Sequence, residues 1–258
     1  MAESYAGSGP EDQRAAQLAE NLNALRTRLD AACAAAHRAP GAVALVAVTK
    51  FFPATDVLRL LRLGLREFGE NRDQEAADKA ARVAGALRGP QHLDLAAPRW
   101  HFIGQLQTNK ARSVVSYADV IESVDRLRLV AALDRAAERA GRAPTCLIQV
   151  NLDPDPGAGA DADGRGGAAP GEVERIADAV AGSPALRLGG LMAVAPLGAD
   201  PRPAFERLAE LHAKVLGTHP EAVSLSAGMS GDLEAAVAAG ATHVRIGSAL
   251  LGSRAPLR

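Results

Sequence analysis

The sequence predicts an α/β fold, a single (β/α)8 TIM barrel preceded by an N-terminal helix. Three observations predict it. Short apolar segments recur without the polar/apolar alternation of a half-exposed strand, as in parallel sheets covered on both faces. Each of them but the last is followed by a segment whose apolar residues repeat at helical spacing, so that strand and helix alternate strictly. Eight such units fit within 258 residues, the count and size of a closed barrel. A doubly wound open sheet is the alternative, yet no G-x-G-x-x-G follows any of the strands.

Residues 1 to 12 are polar, contain Gly, Pro and Ser, and have no period; they read as a disordered tail, with 13 to 258 as the barrel domain. The first element is a helix to His37, in which Leu18, Leu22, Leu25 and Leu29 recur at helical spacing until "APG" at 39 to 41 ends it. It can supply the eighth outer helix. Strand "ALVAVTK" (44–50) precedes "TDVLRLLRLGLR" (55–66), where Val57, Leu60, Leu61 and Leu65 share a face. "EFGEN" (67–71) precedes a polar helix through Lys79 and Ala81, and "WHFIGQ" (100–105) precedes "TNKARSVVSYA" (108–118). "VIESV" (120–124) leads into "DRLRLVAALDRAAERAG" (125–141), with Asp125 placed to cap the helix and Gly141 to end it.

The fifth strand is "TCLIQVNL" (145–152), and its helix, "EVERIADAVAG" (172–182), presents Val173, Ile176, Ala177 and Val180 on one face. Between them, 153 to 171 is rich in Gly, Ala, Asp and Pro and too long for an ordinary βα connection; it reads as a solvated, mobile insertion beside the mouth, with a lid as the alternative. "LRLGGLMAV" (186–194) precedes a helix carrying Phe205, Leu208, Leu211 and Val215, "AVSLSAGMS" (222–230) precedes "DLEAAVAAG" (232–240), and "HVRIGSALLG" (243–252) is the last strand.

Composition narrows the function. With 29 basic and 30 acidic residues intermixed, there is no electrostatic footprint for nucleic acid or an anionic membrane, so the ligand is expected to be small. Cys33 and Cys146 are too far apart for a C-x-x-C pair and read as reduced core thiols. The N-terminus lacks a basic region followed by an apolar one, and the longest apolar run, 42 to 48, is too short to span a bilayer. A cytoplasmic protein is expected, and a single small barrel suggests a monomer.

Strand C-termini converge on one mouth in a barrel. Those positions hold Lys50, Asn71, His101 to Gln105, Glu122, Asn151, Met192, Ser226 to Asp232 and Arg245 to Ser248. "SAGMSGD" and "RIGS" each end a strand in small and hydroxyl residues and open a helix. They are either tight βα turns or phosphate cradles, in which Ser230, Gly231, Gly247 and Ser248 would offer backbone N–H groups and a hydroxyl. Lys50 is either a solvated strand end or an amine in a partly desolvated mouth, where such an amine loses its proton more readily and can form a Schiff base. Taken together, the two features describe a ligand with an aldehyde at one end and a phosphate at the other. Pyridoxal 5′-phosphate is such a ligand. Arg245 would face its pyridine nitrogen, where an always-charged donor weakens the electron sink and limits the chemistry.

The segments "VAVTKFFP", "EFGENRDQEA", "WHFIGQLQTNKAR", "IESVDRL", "LIQVNL", "GLMAVAP" and "LSAGMSGDLEAAVAAGATHVRIGSALLG" resemble, in order and spacing, the pyridoxal-phosphate homeostasis protein family, also described as proline synthetase co-transcribed proteins. The resemblance covers 15 to 252. It implies a barrel similar to the N-terminal domain of alanine racemase, pyridoxal phosphate as an internal aldimine, and a role in balancing vitamin B6 and amino-acid pools without established turnover. Pyridoxal-phosphate-dependent apoenzymes are the implied recipients. Position by position it implies Lys50 as the Schiff-base lysine, Asn71 and Met192 near the cofactor, and Ser226, Gly228, Met229 and Ser230 on the ring and phosphate side. It further implies Arg245 at the pyridine nitrogen and Gly247 and Ser248 on the phosphate, with His101 and Gly104 in supporting roles. Ser248 stands where threonine is frequent, Ala227 replaces a larger apolar residue, and "GRGG" at 164 to 167 stands where many members have Lys-Ser-Gly.

An amino-acid racemase of the same cofactor is the alternative. It needs a second base opposite the lysine. The only tyrosines are Tyr5, in the tail, and Tyr117, read as helix-borne, and a second domain to supply one is not expected beyond the barrel. A barrel for an unrelated phosphorylated metabolite would not explain Lys50 and Arg245 together. Metal chemistry is disfavoured because His37, His92, His101, His212, His219 and His243 lack H-x-x-x-H spacing. Asp232 and Glu234 read as first-turn acids that complement a helix dipole.

Overall fold

The apolar segments form eight strands: β1 (Ala44–Val48), β2 (Glu67–Glu70), β3 (Arg99–Phe102), β4 (Val120–Val124), β5 (Thr145–Val150), β6 (Arg187–Ala193), β7 (Ser224–Ser226) and β8 (His243–Ile246). In this computed structural model, residues 10–92, 94–153 and 166–252 are described. All neighbouring strands are parallel and follow sequence order, and the barrel closes where β8 returns to β1, with Arg245 opposite Val46 and Ile246 opposite Ala47.

The outer layer is α1 (Pro10–Ala35), α2 (Ala54–Arg62), α3 (Asp73–Ala86), α4 (Ala111–Tyr117), α5 (Leu127–Ala140), α6 (Val173–Ala181), α7 (Arg202–Thr218), α8 (Leu233–Ala238) and α9 (Ser248–Leu251). Helix α1 packs on α8, α9 and α2 and so completes the ring. Its leucine stripe, Leu18, Leu22, Leu25 and Leu29, is buried. The helix begins at Pro10, inside the segment read as a tail, and residues 1–9 lie outside the described residues.

Three boundaries differ from the sequence reading. Helix α2 stops at Arg62 because Gly64, at φ +85°, turns the chain; Leu65 is buried from the connection rather than from the helix. Asp125 does not cap α5: the cap position is Arg126, which has no side-chain cap bond, and the Asp125 carboxylate instead pairs with the Arg126 guanidinium. Gly141 does end that helix, at φ +60°. The segment 243–252 is half strand and half helix, because Gly247 breaks β8 and Ser248 opens α9. Of the long insertion, 154–165 lie outside the described residues; its C-terminal part joins the barrel through Ala168, which bridges Val150.

Apart from irregularities in β4 and β6, the strands alternate between two faces. Trp100, Phe102, Ile121, Cys146, Ile148, Leu191, Val244 and Ile246 point outward into two apolar clusters beneath the helices. The intervening Val120, Leu147 and Met192 form a small separate cluster inside the barrel. Most of the rest of that interior is polar. Cys33 and Cys146 are free and buried, on the outer faces.

Between β5 and β6 the register slips by one residue at "LGGL", where Leu188 faces Cys146 but Gly190 faces Leu147. This is a β-bulge around Gly189. Gly190 sits at φ +140°, and a Cβ there would collide with the Ser224 carbonyl of β7. Gly190→Ala should therefore destabilise the protein by about 1–3 kcal/mol or more, the usual cost of overpacking. An unchanged denaturation midpoint would show that the β6–β7 contact relaxes freely.

Candidate functional site

A cavity of about 580 Å3 opens at the C-terminal ends of the strands, a size typical of small-molecule sites. Lys50, Asn71, Met192, Met229, Ser230, Arg245, Gly247 and Ser248 all line it. Closure of the barrel explains why residues distant in sequence meet there: Lys50 follows β1 and Ser248 follows β8, and these strands are hydrogen-bonded neighbours. Ser226 and Gly228, expected on the same wall, stand behind it. Ser226 is buried against Arg245 and Glu122, and Gly228, at φ +92°, packs so closely on Ala236 of α8 that no side chain fits.

The backbone is open at two of the glycines that line the wall. A Cβ on Gly231 would meet nothing within 4 Å, and one on Gly247 would meet only Val48 at ordinary contact distance. Packing within the protein therefore does not demand glycine at these two cavity-lining positions. Ser248 begins α9, whose first N–H groups lack intrahelical partners. Asp232 holds the other turn by accepting the Met229 N–H at 2.6 Å. Glu234 does not simply complement the α8 dipole, because it reaches α1 and pairs with Arg28. Gly104 permits a close approach, since any side chain there would strike the Asn71 carbonyl. The buried Asn71 Oδ1 has no hydrogen-bond partner among the described residues, so an acceptor is left in the cavity wall.

Among the described residues Arg245 is the one cation buried in that wall. Its Nη2 donates to the Ala193 carbonyl at 2.7 Å and its Nη1 to Ser226 Oγ at 2.8 Å. Ser226 Oγ donates in turn to Glu122 Oε2 at 2.6 Å. Glu122 Oε1 lies 2.5 Å from His101 Nδ1, and His101 Nε2 lies 2.5 Å from Glu67 Oε2. The chain of contacts thus runs from the cavity through the barrel interior to its opposite end. His101 and Glu122, read from the sequence as mouth residues, sit below the mouth inside the barrel; neither lines the cavity.

Both ring nitrogens of His101 face carboxylates, which only accept, so the ring is an imidazolium. Burial opposes that charge, but hydrogen bonds to Glu122 and Glu67 outweigh it and raise the His101 pKa. Burial would likewise push Glu122 up, yet His101 and Arg245 hold it down at about 2. Glu67 is also lowered, against its own burial, by His101 and Arg99. Burial lowers Arg245, with Glu122 opposing. It stays charged, as arginine does.

The family model described as "Alanine racemase, N-terminal domain" matches residues 16–255. The pyridoxal phosphate homeostasis protein of Mycobacterium leprae is 46% identical over 251 residues, covering 94% of this chain and 95% of that one. The chain belongs to the pyridoxal phosphate homeostasis protein family. The Escherichia coli K12 member is 37% identical over 242 residues, covering 92% of this chain and 97% of its own. The solved structure of PipY from Synechococcus elongatus, described with PLP bound, has 34% identity and a TM-score of 0.75, covering 91% of this chain and all of that one.

In this family member, sequence reasoning missed Gln149 and Gly166 in the cavity wall, which Gln149 Nε2 joins by donating to the Gly166 carbonyl at 2.5 Å. A signal for Gln149 existed, a lone amide within the apolar "TCLIQVNL". For Gly166 the signal was its place in "GRGG", within the insertion read as bordering the mouth.

The interior network makes stability pH-dependent. The lowered carboxylates contribute fully above their ordinary 4.5 and lose that contribution as pH falls through their folded values. The raised imidazole contributes fully below its ordinary 6.5 and loses it as pH rises through its folded value. His101→Gln should therefore cost about 3–5 kcal/mol, the usual cost of breaking a buried pair, and most between these two ordinary values. Denaturant unfolding across pH measures it, and a pH-independent deficit would contradict the imidazolium.

Proposed function

We propose that this chain binds pyridoxal 5′-phosphate at the barrel mouth and acts in intracellular vitamin B6 and amino-acid homeostasis, holding the cofactor on Lys50 without turnover. One observation carries the reading: an amine, a buried guanidinium and a glycine–serine cradle, Lys50, Arg245 and Gly247–Ser248, converge on one cavity from adjacent strands. These match an aldehyde, a pyridine nitrogen and a phosphate. Asn71 Oδ1, without a partner among the described residues, and the open space at Gly231 and Gly247 fit such a ligand. The names of the curated relatives and the PLP bound in PipY support it.

When bound, the cofactor supplies an aldehyde for amines and an electron sink for the carbon next to them. The residues of the mouth divide the work of holding it. Lys50 supplies the amine that retains the ligand. Arg245, a donor with no acceptor capacity, keeps a proton off the ring nitrogen it faces and so weakens the sink. Ser248 Oγ and the first N–H groups of α9 take the phosphate. Met192 supplies an apolar contact from the interior cluster. Ser226 and Gly228 act from behind the wall, Ser226 by holding Arg245 and Gly228 by shaping the turn before Met229 and Ser230.

Racemisation needs an acid or base on the face opposite the lysine. Among the described residues neither a tyrosine nor a histidine lines the cavity. Tyr117 lies on α4 with its hydroxyl 3.4 Å from Asp73, and its pKa is raised, chiefly by burial. The reading therefore favours carriage, with pyridoxal-phosphate-dependent apoenzymes as recipients and a monomer as the carrying form.

The test is to mix the purified protein with pyridoxal phosphate, reduce with borohydride and map the modified lysine by peptide mass. Lys50 should carry the label, and Lys50→Ala should remain folded and hold the ligand weakly without a reducible bond. A reducible bond that survives in that variant, or label scattered over surface lysines, would remove Lys50 from the site. Ser248→Ala should leave the bond on Lys50 intact but weaken affinity about two- to tenfold, the worth of one hydrogen bond. Equal affinity in titration would place the phosphate elsewhere. Alanine racemisation by the loaded protein should stay at the level of free cofactor.

A further inference from the structure

The turn that carries Lys50 is held in an unfavourable conformation. Phe52 N–H donates to the Thr49 carbonyl at 3.0 Å, making Lys50 and Phe51 the central pair of a four-residue turn. Phe51 has φ +70°. A turn with positive φ at its third residue ordinarily takes glycine or asparagine, and a bulky side chain there is strained. Such strain persists only where the surroundings impose it.

The surroundings are Lys79 and Glu75, one turn apart on α3. Lys79 is only 5% exposed, and its Nζ lies 2.7 Å from the Thr49 carbonyl, 2.5 Å from Glu70 Oε1 and 3.1 Å from Glu75 Oε1. An ammonium has three protons, and three acceptors meet them. Glu75 Oε1 also accepts the Phe51 N–H at 2.5 Å, and Thr49 Oγ1 donates to Glu70 Oε1 at 2.7 Å. The carbonyl of Thr49 and the N–H of Phe51, on either side of Lys50 in the chain, are therefore both tied to one ion pair. The Arg72 guanidinium lies over the Phe51 ring, 4.9 Å from its centroid, and covers the turn from a third direction.

This polar cluster is not the cheapest way to fill its space. Burying an ion pair costs desolvation, and an apolar replacement of the same volume is often no less stable. Glu70 shows the cost, since burial pushes its carboxyl up in spite of Lys79, and its Oε2 has no partner among the described residues. None of Glu70, Glu75 and Lys79 lines the mouth cavity. Glu75 and Lys79 instead border a separate cleft on the outer side of the same turn, together with Phe51.

We infer that Lys79 and Glu75 are positioning residues for Lys50, clamping the peptide groups on either side of it so that a strained turn aims its amine into the cavity. The inference rests on the reading of Lys50 as the lysine that takes pyridoxal phosphate. Without the clamp the turn relaxes, Phe51 leaves the positive-φ region, and Lys50 no longer stands in line with the cradle at Gly247 and Ser248.

The experiment compares wild type, Glu75→Ala and Glu75→Gln, because Glu75 is partly exposed and its loss leaves the Lys79–Glu70 pair in place. In the protein without cofactor, hydrogen exchange at the Phe51 amide should be protected in wild type and in Glu75→Gln, whose amide oxygen still accepts that N–H, and should speed up in Glu75→Ala. With pyridoxal phosphate, Glu75→Ala should show about a tenfold loss of affinity, the worth of one charge-assisted hydrogen bond, and slower trapping on Lys50 by borohydride. Glu75→Gln should restore most of both. Thermal melts of the three proteins identify any variant that is simply unfolded. Equal affinity and trapping in wild type and folded Glu75→Ala would overturn the clamp, as would loss in Glu75→Ala that Glu75→Gln fails to rescue. Wild type that forms no bond at Lys50 would overturn the cofactor reading itself, and the inference with it.

Discussion

A guanidinium cannot be buried alone, and most of the barrel interior is arranged around meeting that demand for Arg245. Its charge is answered by Glu122 through Ser226, that of Glu122 by His101, and that of His101 by Glu67. Two cations alternate with two anions, so the row is neutral overall. Each member is stabilised only while its neighbours keep their charge. The cavity floor is therefore a fixed electrostatic surface. A positive group in a low-dielectric wall needs no reorganisation to meet a ligand, which is what makes such a site effective for holding one.

Around that row, barrel closure does the assembling. Return of β8 to β1 places Lys50 beside the loop of Gly247 and Ser248, and the parallel pairing carries Met192 and Ser226 to the same level on β6 and β7. Glycines sit where backbones must approach one another: Gly104 against Asn71, and Gly190 against Ser224. The outer apolar clusters under the helices provide the stability that lets the interior be polar.

Holding and releasing a cofactor put different demands on a lysine than turnover does. Turnover needs an acid and a base on opposite faces of the substrate and an electron sink. The mouth described here has an amine on one side, an always-charged donor at the floor and hydroxyl and amide groups at the rim. Its polar groups are mostly hydrogen-bond donors, suited to recognising a ligand rich in acceptors. The strained turn at Phe51 fits the proposed role, because a lysine fixed in one direction would lose little freedom on capturing an aldehyde.

Much was legible in the sequence alone. The eight strand segments, the leucine stripe of α1 and the helix stop at Gly141 follow from periodicity and from glycine's tolerance of positive φ, which are local properties. The residues at strand ends, Lys50, Asn71, Met192, Arg245, Gly247 and Ser248, were legible because closure of a parallel barrel sends all strand ends to one mouth. What sequence could not decide was which polar residue faces the cavity and which faces only another residue. His101, Glu122 and Ser226 stand on strands as plausibly as Arg245 does, yet they turn to one another inside the barrel. Lys79 read as part of a polar helix and is buried against the turn it holds. Strand order and chemistry are written along the chain, but the partner of a buried charge lies 9 residues away for Lys79 and Glu70 and 104 for Ser226 and Glu122. Only packing of the complete barrel brings such partners within hydrogen-bond reach.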